Sequence, residues 1–242
     1  MKKSPNSVQK EFGDFFVTLH PEKTKMTMYM KRVIWMMAAA VLLAGCSKDD
    51  ENEVVKPVDG VDGKTLVVYF HGPMPDGVDA ATGATPVVNG MSATQYVAQQ
   101  IVDLTGADVH HITVADSHYP KVYEELATFA RSEKEAGTHP ALTSRLTNLS
   151  EYKNVIIGTP VWWYTLPMPI HSFLDAYDLS GKNVMVFTTH EGSGLADAIE
   201  RIKEQEPNAT VSSTGFHSRG NSVASQGNAI KNWITGLGFT TK

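Results

Sequence analysis

From Lys64 onward, short and continuously apolar runs alternate with stretches in which apolar residues recur every three or four positions. The runs "KTLVVYF" (64–70), "DVHHITV" (108–114), "YKNVIIG" (152–158), "KNVMVFTT" (182–189) and "ATVSSTGF" (209–216) have the length and β-branched content of strands. Between the first two, "TQYVAQQIVDLTG" sets Tyr96, Val97, Ile101 and Leu104 at helical spacing ahead of a terminating Gly106. Further helices are predicted over 119–137, 167–179, where Pro167 or Pro169 can occupy the first turn, 194–207 and 224–238. Strand then helix recurs five times. Strands that alternate with helices run parallel and are covered on both faces, which is why their runs are apolar throughout. In open sheets of this kind ligands bind beyond the carboxyl ends of the strands, where the strand order reverses. The loops after strands one, three and four are therefore the ones to read for chemistry.

After strand three comes "TPVWWYTLP", with Trp162, Trp163 and Tyr164 hemmed in by prolines. Neighbouring side chains in an extended loop point in different directions, so at least one Trp is expected to face outward, as a flat surface suited to a planar ligand. After strand four, "TTHEGSGLAD" offers glycines that let the backbone approach a ligand, with His190 and Ser193 as polar contacts. Ser193 serves equally well as the N-cap of the next helix. After strand one, a long Gly/Pro-rich stretch ends in "NGMSATQ", which delivers Gly90, Ser92 and Thr94 to a helix N-terminus, the place where an anion is favoured.

Upstream of Lys64 the pattern changes. Lys31 and Arg32 precede the apolar run "VIWMMAAAVLLAG", which is shorter than the roughly 18 residues of a membrane span. It ends at Cys46, followed by the acidic "SKDDENE". The sequence resembles a bacterial lipoprotein signal over about residues 30–45, in which Cys46 becomes the lipidated first residue of the mature chain. Residues 1–29 do not fit such a signal, so translation is expected to start at Met28 or Met30. Residues 46–63 read as a flexible tether, and 64–242 as one domain with an insertion at about 71–91. Of the chain's 21 Lys/Arg and 26 Asp/Glu, the first 45 residues hold seven and three, leaving 14 and 23 and a net charge of −9. That charge argues against nucleic acid as a partner.

Several chemistries are excluded. Cys46 is the only cysteine, so the domain carries neither disulfides nor thiol catalysis. His110 and His111 are adjacent on a strand and face opposite sides, which rules out a shared metal. No Gly-x-Ser-x-Gly elbow surrounds Ser193, and "HEGSG" lacks the second His of a zincin helix. His71, His118, His139 and His217 read as surface or loop residues, and Glu124, Glu125, Glu133 and Glu135 as a solvated helix face.

The chain from 64 to 240 resembles the flavodoxins, in particular the exported lipoprotein members of the Bacteroidetes. The resemblance rests chiefly on "GTPVWWYTLPMPIHSFLDAYDLSGK" and "VFTTHEGSG". It implies an α/β three-layer sandwich with a five-stranded parallel sheet of order 2-1-3-4-5, and FMN as cofactor. Pro160, Val161, Trp162, Trp163 and Tyr164 would flank the isoalloxazine, Thr189, His190, Gly192 and Gly194 would contact its pyrimidine side, and Ser92, Ala93 and Thr94 would receive the phosphate. Flavodoxins end that loop in Thr-Gly-Asn-Thr, whereas here it reads Met91-Ser92-Ala93-Thr94, and His71 stands where Ser is usual. The departure predicts weak FMN binding. The expected function is electron transfer, or flavin-dependent reduction, at the cell envelope, with a membrane quinone or a redox protein as electron donor. The alternative is a cofactor-free module that binds a planar or sugar ligand through the same aromatics.

Overall fold

The computed structural model describes residues 61–242; the expected leader, Cys46 and nearly all of the tether lie outside the described residues. In chain order the elements are β1 (Lys64–Phe70), the short hairpin β2 (Val78–Asp79) and β3 (Thr85–Pro86), α1 (Ala93–Thr105) and β4 (Asp108–Ile112). There follow α2 (Tyr123–Ala136), β5 (Tyr152–Pro160), α3 (Met168–Ala176), β6 (Asn183–His190), α4 (Ala198–Gln205), β7 (Thr210–Val211), β8 (Phe216–Arg219) and α5 (Gly227–Gly236). The main sheet runs β4-β1-β5-β6-β7, with β8 also paired to β6, and every pairing in it is parallel.

This is the order 2-1-3-4-5 with a divided fifth strand. Asn183 and Val184 of β6 pair with β7, and Phe187 to His190 pair with β8. The single strand expected over 209–216 is corrected to these two pieces. Between them the Ser212 hydroxyl donates to the Thr214 carbonyl at 2.8 Å and accepts from the Thr214 N–H at 3.2 Å, a local turn that competes with the ladder.

Alternation along the strands builds two cores. Leu66, Val68 and Phe70 face α2, α3 and α4 through Leu126, Phe173 and Ile202, while Val67 and Tyr69 face α1 and α5 through Val97, Ile101 and Ile230. Each fully buried Leu, Ile or Phe contributes about 1.5–3 kcal/mol, so both helix layers are held mainly by their apolar stripes. At the start of α1 the Ser92 hydroxyl accepts the Gln95 N–H at 3.1 Å, and Gly106 ends the helix at φ 74°. Pro169 sits in the first turn of α3.

Two helix readings change. Ser193 is not an N-cap, because Ala196 at φ 48° breaks the path and α4 begins only after Asp197. Glu133 is not on the solvated face: it is 6% exposed and accepts from the Tyr119 hydroxyl at 2.6 Å while pairing with His118 Nε2 at 2.7 Å. A buried carboxylate needs such partners.

Candidate functional site

The carboxyl ends of β1, β5 and β6 meet at one edge of the sheet. The Val161 N–H donates to the Thr189 carbonyl at 2.9 Å, carrying the β5–β6 register one step past the strand. The chain then reverses: Trp162 and Thr165 exchange backbone hydrogen bonds of 3.0 and 3.1 Å around Trp163 and Tyr164. Those two central residues have φ of 52° and 63°, the left-handed pair of a two-residue hairpin turn that Asn-Gly usually fills. Bulky side chains there cost about 1–3 kcal/mol each.

The two tryptophans diverge, as the sequence suggested. Trp162 is 9% exposed, packs edge-on against Phe70 and Tyr119 with ring centroids 5.5 and 5.1 Å away, and donates its indole N–H to the Ala81 carbonyl at 2.7 Å. Trp163 is 39% exposed, donates its indole N–H to the Ala127 carbonyl at 2.8 Å, and lies 4.9 Å beneath the Arg131 guanidinium. Tyr164 stands in solvent.

On the β6 side, His190 is buried, with Nε2 3.1 Å from His217 Nδ1 and its own Nδ1 without a hydrogen-bond partner. Burial holds its pKa below the usual histidine value, with the neighbouring His217 and Arg219 acting in the same direction. Arg219 donates to the Glu191 carbonyl at 2.6 Å, and burial raises the Glu191 carboxyl. Gly192 follows at φ 155°.

The third wall is the segment between β1 and α1. Its Asp79 is fully buried: Oδ1 accepts the N–H groups of Ala81 and Thr82 at 3.1 and 3.2 Å, and Oδ2 accepts the Ala93 N–H at 2.9 Å. Burial pushes its pKa up, against the backbone donors, which favour the ionised form. The Thr189 hydroxyl lies 3.0 Å from that of Thr82 and 2.7 Å from that of Thr94, joining the insertion to β6 and α1. The fit is close at Gly72, where a Cβ would stand 2.9 Å from Ala81 Cβ and 3.4 Å from the Trp162 ring.

These walls enclose a cleft of about 400 Å³ between the insertion, α2, the aromatic turn and the β6 loop. Its size falls within the range of small-molecule sites. Of the residues expected at a ligand, Val161, Trp162, Trp163, Tyr164, His190, Gly192 and Ser193 line it. Pro160 and Thr189 are buried beneath the edge, and Gly194, whose carbonyl accepts from the Thr188 hydroxyl at 2.9 Å, is not part of the lining. Ser92, Ala93 and Thr94 are likewise not brought to the cleft; they are 0, 1 and 0% exposed. Sequence reasoning missed Asp79, Glu191 and the wall formed by Tyr123 and Ala127 of α2. His110 and His111 do face opposite ways, His111 stacking on Tyr69 and His71 at 4.8 and 4.3 Å, and among the described residues no cluster could hold a metal ion.

A parallel sheet of order 2-1-3-4-5 with a cleft over the carboxyl ends of its first, third and fourth strands defines a doubly wound protein of the flavodoxin type. The chain belongs to the flavodoxin family, whose sequence model, described as Flavodoxin, matches residues 87–237. Among solved structures it is similar to a candidate flavoprotein from Bacteroides uniformis, at 27% identity over 72% of this chain and 98% of that one, with a TM-score of 0.55. A candidate flavoprotein from Bacteroides eggerthii has the same fold, at 23% identity over 74% of this chain and all of the other, again with a TM-score of 0.55. No curated protein sequence matches the chain.

Proposed function

We propose that this protein binds a flavin whose isoalloxazine ring lies in the cleft between the Trp162–Thr165 turn and the Gly192 loop, and that it serves electron transfer or flavin-dependent reduction at the cell envelope. The observation that carries this reading is the aromatic turn: two bulky residues are held at unfavourable positive φ where they wall the cleft. Strain of that kind persists where the fold enforces it and gathers at ligand sites.

A bound flavin supplies the redox chemistry. The chain's own residues bind and orient the ring. Trp162 and Trp163 present aromatic surface, Gly192 allows close backbone approach, and His190 stands in the cleft wall. Glu191 and the chain's acidic balance oppose negative charge on the ring.

FMN is the flavin that family membership suggests, and its ring and its phosphate fit differently. The ring has a cleft of suitable size and lining. The phosphate does not fit, because Ser92, Ala93 and Thr94 are enclosed and the Ala93 N–H is taken by Asp79. The test of the ring assignment is titration of the protein with riboflavin and with FMN, followed by flavin fluorescence. Saturable quenching by at least one flavin is expected; no change with either overturns it.

The second reading, a cofactor-free module that takes a planar or sugar ligand on Trp162 and Trp163, draws its support from the enclosed phosphate loop, and the same titration separates the two. The envelope location rests on the "LLAGC" signal, with Cys46 as the lipidated residue and a quinone or a redox protein as the electron donor. If it holds, Cys46→Ala moves the protein from the membrane to the soluble fraction on fractionation of the native host; an unchanged distribution removes the anchor.

A further inference from the structure

We propose that Asp79 is a built-in substitute for the flavin phosphate, so that the cleft selects a flavin lacking the phosphate, of the riboflavin class, over FMN. The inference rests on the flavin reading of the cleft and adds the class of flavin. A helix N-terminus leaves backbone N–H groups without intrahelical partners and favours an anion beside them. At α1 that anion is supplied by the chain. The Asp79 carboxylate takes the first N–H of the helix, from Ala93, on one oxygen and two N–H groups of its own segment, from Ala81 and Thr82, on the other. The Ser92 hydroxyl takes the N–H of Gln95. With Asp79 fully buried, these donors are spent on a group that water does not reach.

The occupant is fixed in place. Asp79 lies in the β2–β3 hairpin opposite Thr85, and the hydroxyls of Thr82, Thr189 and Thr94 form a chain that ties the hairpin to β6 and α1. The Ala81 carbonyl holds the Trp162 indole, and Gly220 passes so close that a Cβ there would lie 2.7 Å from the Thr82 methyl. A phosphate reaching the α1 N-terminus would have to expel this carboxylate and break those ties, and would meet like charge if it came alongside. Nothing comparable blocks the ring, because Ala81 and Thr82 present their other side to the open cleft. The insertion therefore closes the phosphate half of the crevice and forms a wall of the ring half.

The test compares riboflavin and FMN on the full chain and on Asp79→Ala. The wild type is expected to bind riboflavin at least as tightly as FMN. In the variant the vacated donors become available, and FMN binding tightens by roughly ten- to a hundredfold per charge-assisted bond regained, while riboflavin stays unchanged. Inorganic phosphate alone gives a flavin-independent readout: it raises the melting temperature of Asp79→Ala and leaves that of the wild type where it was. Should the variant not fold, the wild-type preference decides, since FMN binding more tightly than riboflavin overturns the proposal. So does a folded variant that responds neither to phosphate nor to FMN while the wild type binds riboflavin, a result that leaves the ring reading standing. Binding of neither flavin to either protein removes the ring reading, and the proposal with it.

Discussion

The two halves of the carboxyl-edge crevice are built to opposite specifications. Around Asp79 most polar groups satisfy one another: the carboxylate takes three N–H groups, three threonine hydroxyls form a chain, and Ser92 caps its own helix, while the Thr85 hydroxyl opposite Asp79 is left without a partner. Around the Trp162–Thr165 turn the chain leaves business unfinished, with two residues in left-handed conformations, Trp163 and Tyr164 partly or largely in solvent, and a buried His190 nitrogen without a partner. Strain and orphaned polar atoms persist where surrounding structure compels them, and the insertion has them too, in Ala84 at φ 55° and the Thr85 hydroxyl, so the contrast rests on the exposed aromatics of the turn and the cleft beside them. Family membership alone would assign both halves to one cofactor. The hydrogen bonding fills one half with the chain's own groups, and the cleft lies over the other.

Trp162 joins the halves, and removing it gives the largest expected effect. Trp162→Ala deletes a buried indole packed on Phe70 and Tyr119 and strands the Ala81 carbonyl, for a loss of about 3–5 kcal/mol in urea denaturation. A loss below about 1 kcal/mol would mean that the insertion is held without it, and that the closed half is less rigid than its bonding implies.

Acid probes the strand edge beside the closed half. Burial, with help from His71 and His110, lowers the His111 pKa from 6.5 to about 4. As pH falls from 6.5 toward 4 the unfolded chain takes up a proton that the folded chain refuses, so stability present above pH 6.5 is lost across that window. The loss is at most about 3 kcal/mol, reduced by the partial exposure of the ring. Asp79, raised by burial, acts in the opposite sense above its unfolded value, so the histidine is isolated by comparing wild type with His111→Gln. Parallel pH profiles for the two would remove His111 as the cause.

The middle of the sheet could be read from the sequence because β1, β5 and β6 are buried on both faces, and "VVYF", "NVII" and "VMVF" have no polar alternation that could be mistaken for anything else. The fifth strand was legible as an element but not as two pieces, since Ser212 and Thr214 bond each other locally and periodicity carries no sign of that. Glu133 continues the stripe of Leu126 and Ala130 at helical spacing, which places it on the buried face whatever its charge. The aromatic turn was legible from its residue types. Asp79 was not, because it sits in an aperiodic Gly/Pro/Thr stretch with 13 residues between it and the N–H of Ala93.

Trp163→Ala sharpens the contrast from the open side. Its indole is partly solvated, so the stability loss is expected to stay near 1 kcal/mol, while flavin affinity falls by about 1–3 kcal/mol through the lost stacking surface, by analogy with stacking on bases. The reverse order of effects, in denaturation and in flavin titration, would make Trp163 a structural residue.

The smallest effect has the most telling sign. Tyr164 is 76% exposed and held at φ 63°, a conformation that glycine adopts freely and that a tyrosine enters only at a cost. Tyr164→Gly removes that cost and returns part of it as backbone entropy in the unfolded chain, for a net gain of about 0.5–1 kcal/mol. The same change strips an aromatic ring from the cleft and lowers flavin affinity. Stability rising while affinity falls is the outcome expected of a residue kept for its ligand. If Tyr164→Gly is instead destabilised in urea, the left-handed turn is supported by contacts of the tyrosine, and the strain at this corner has a structural cause.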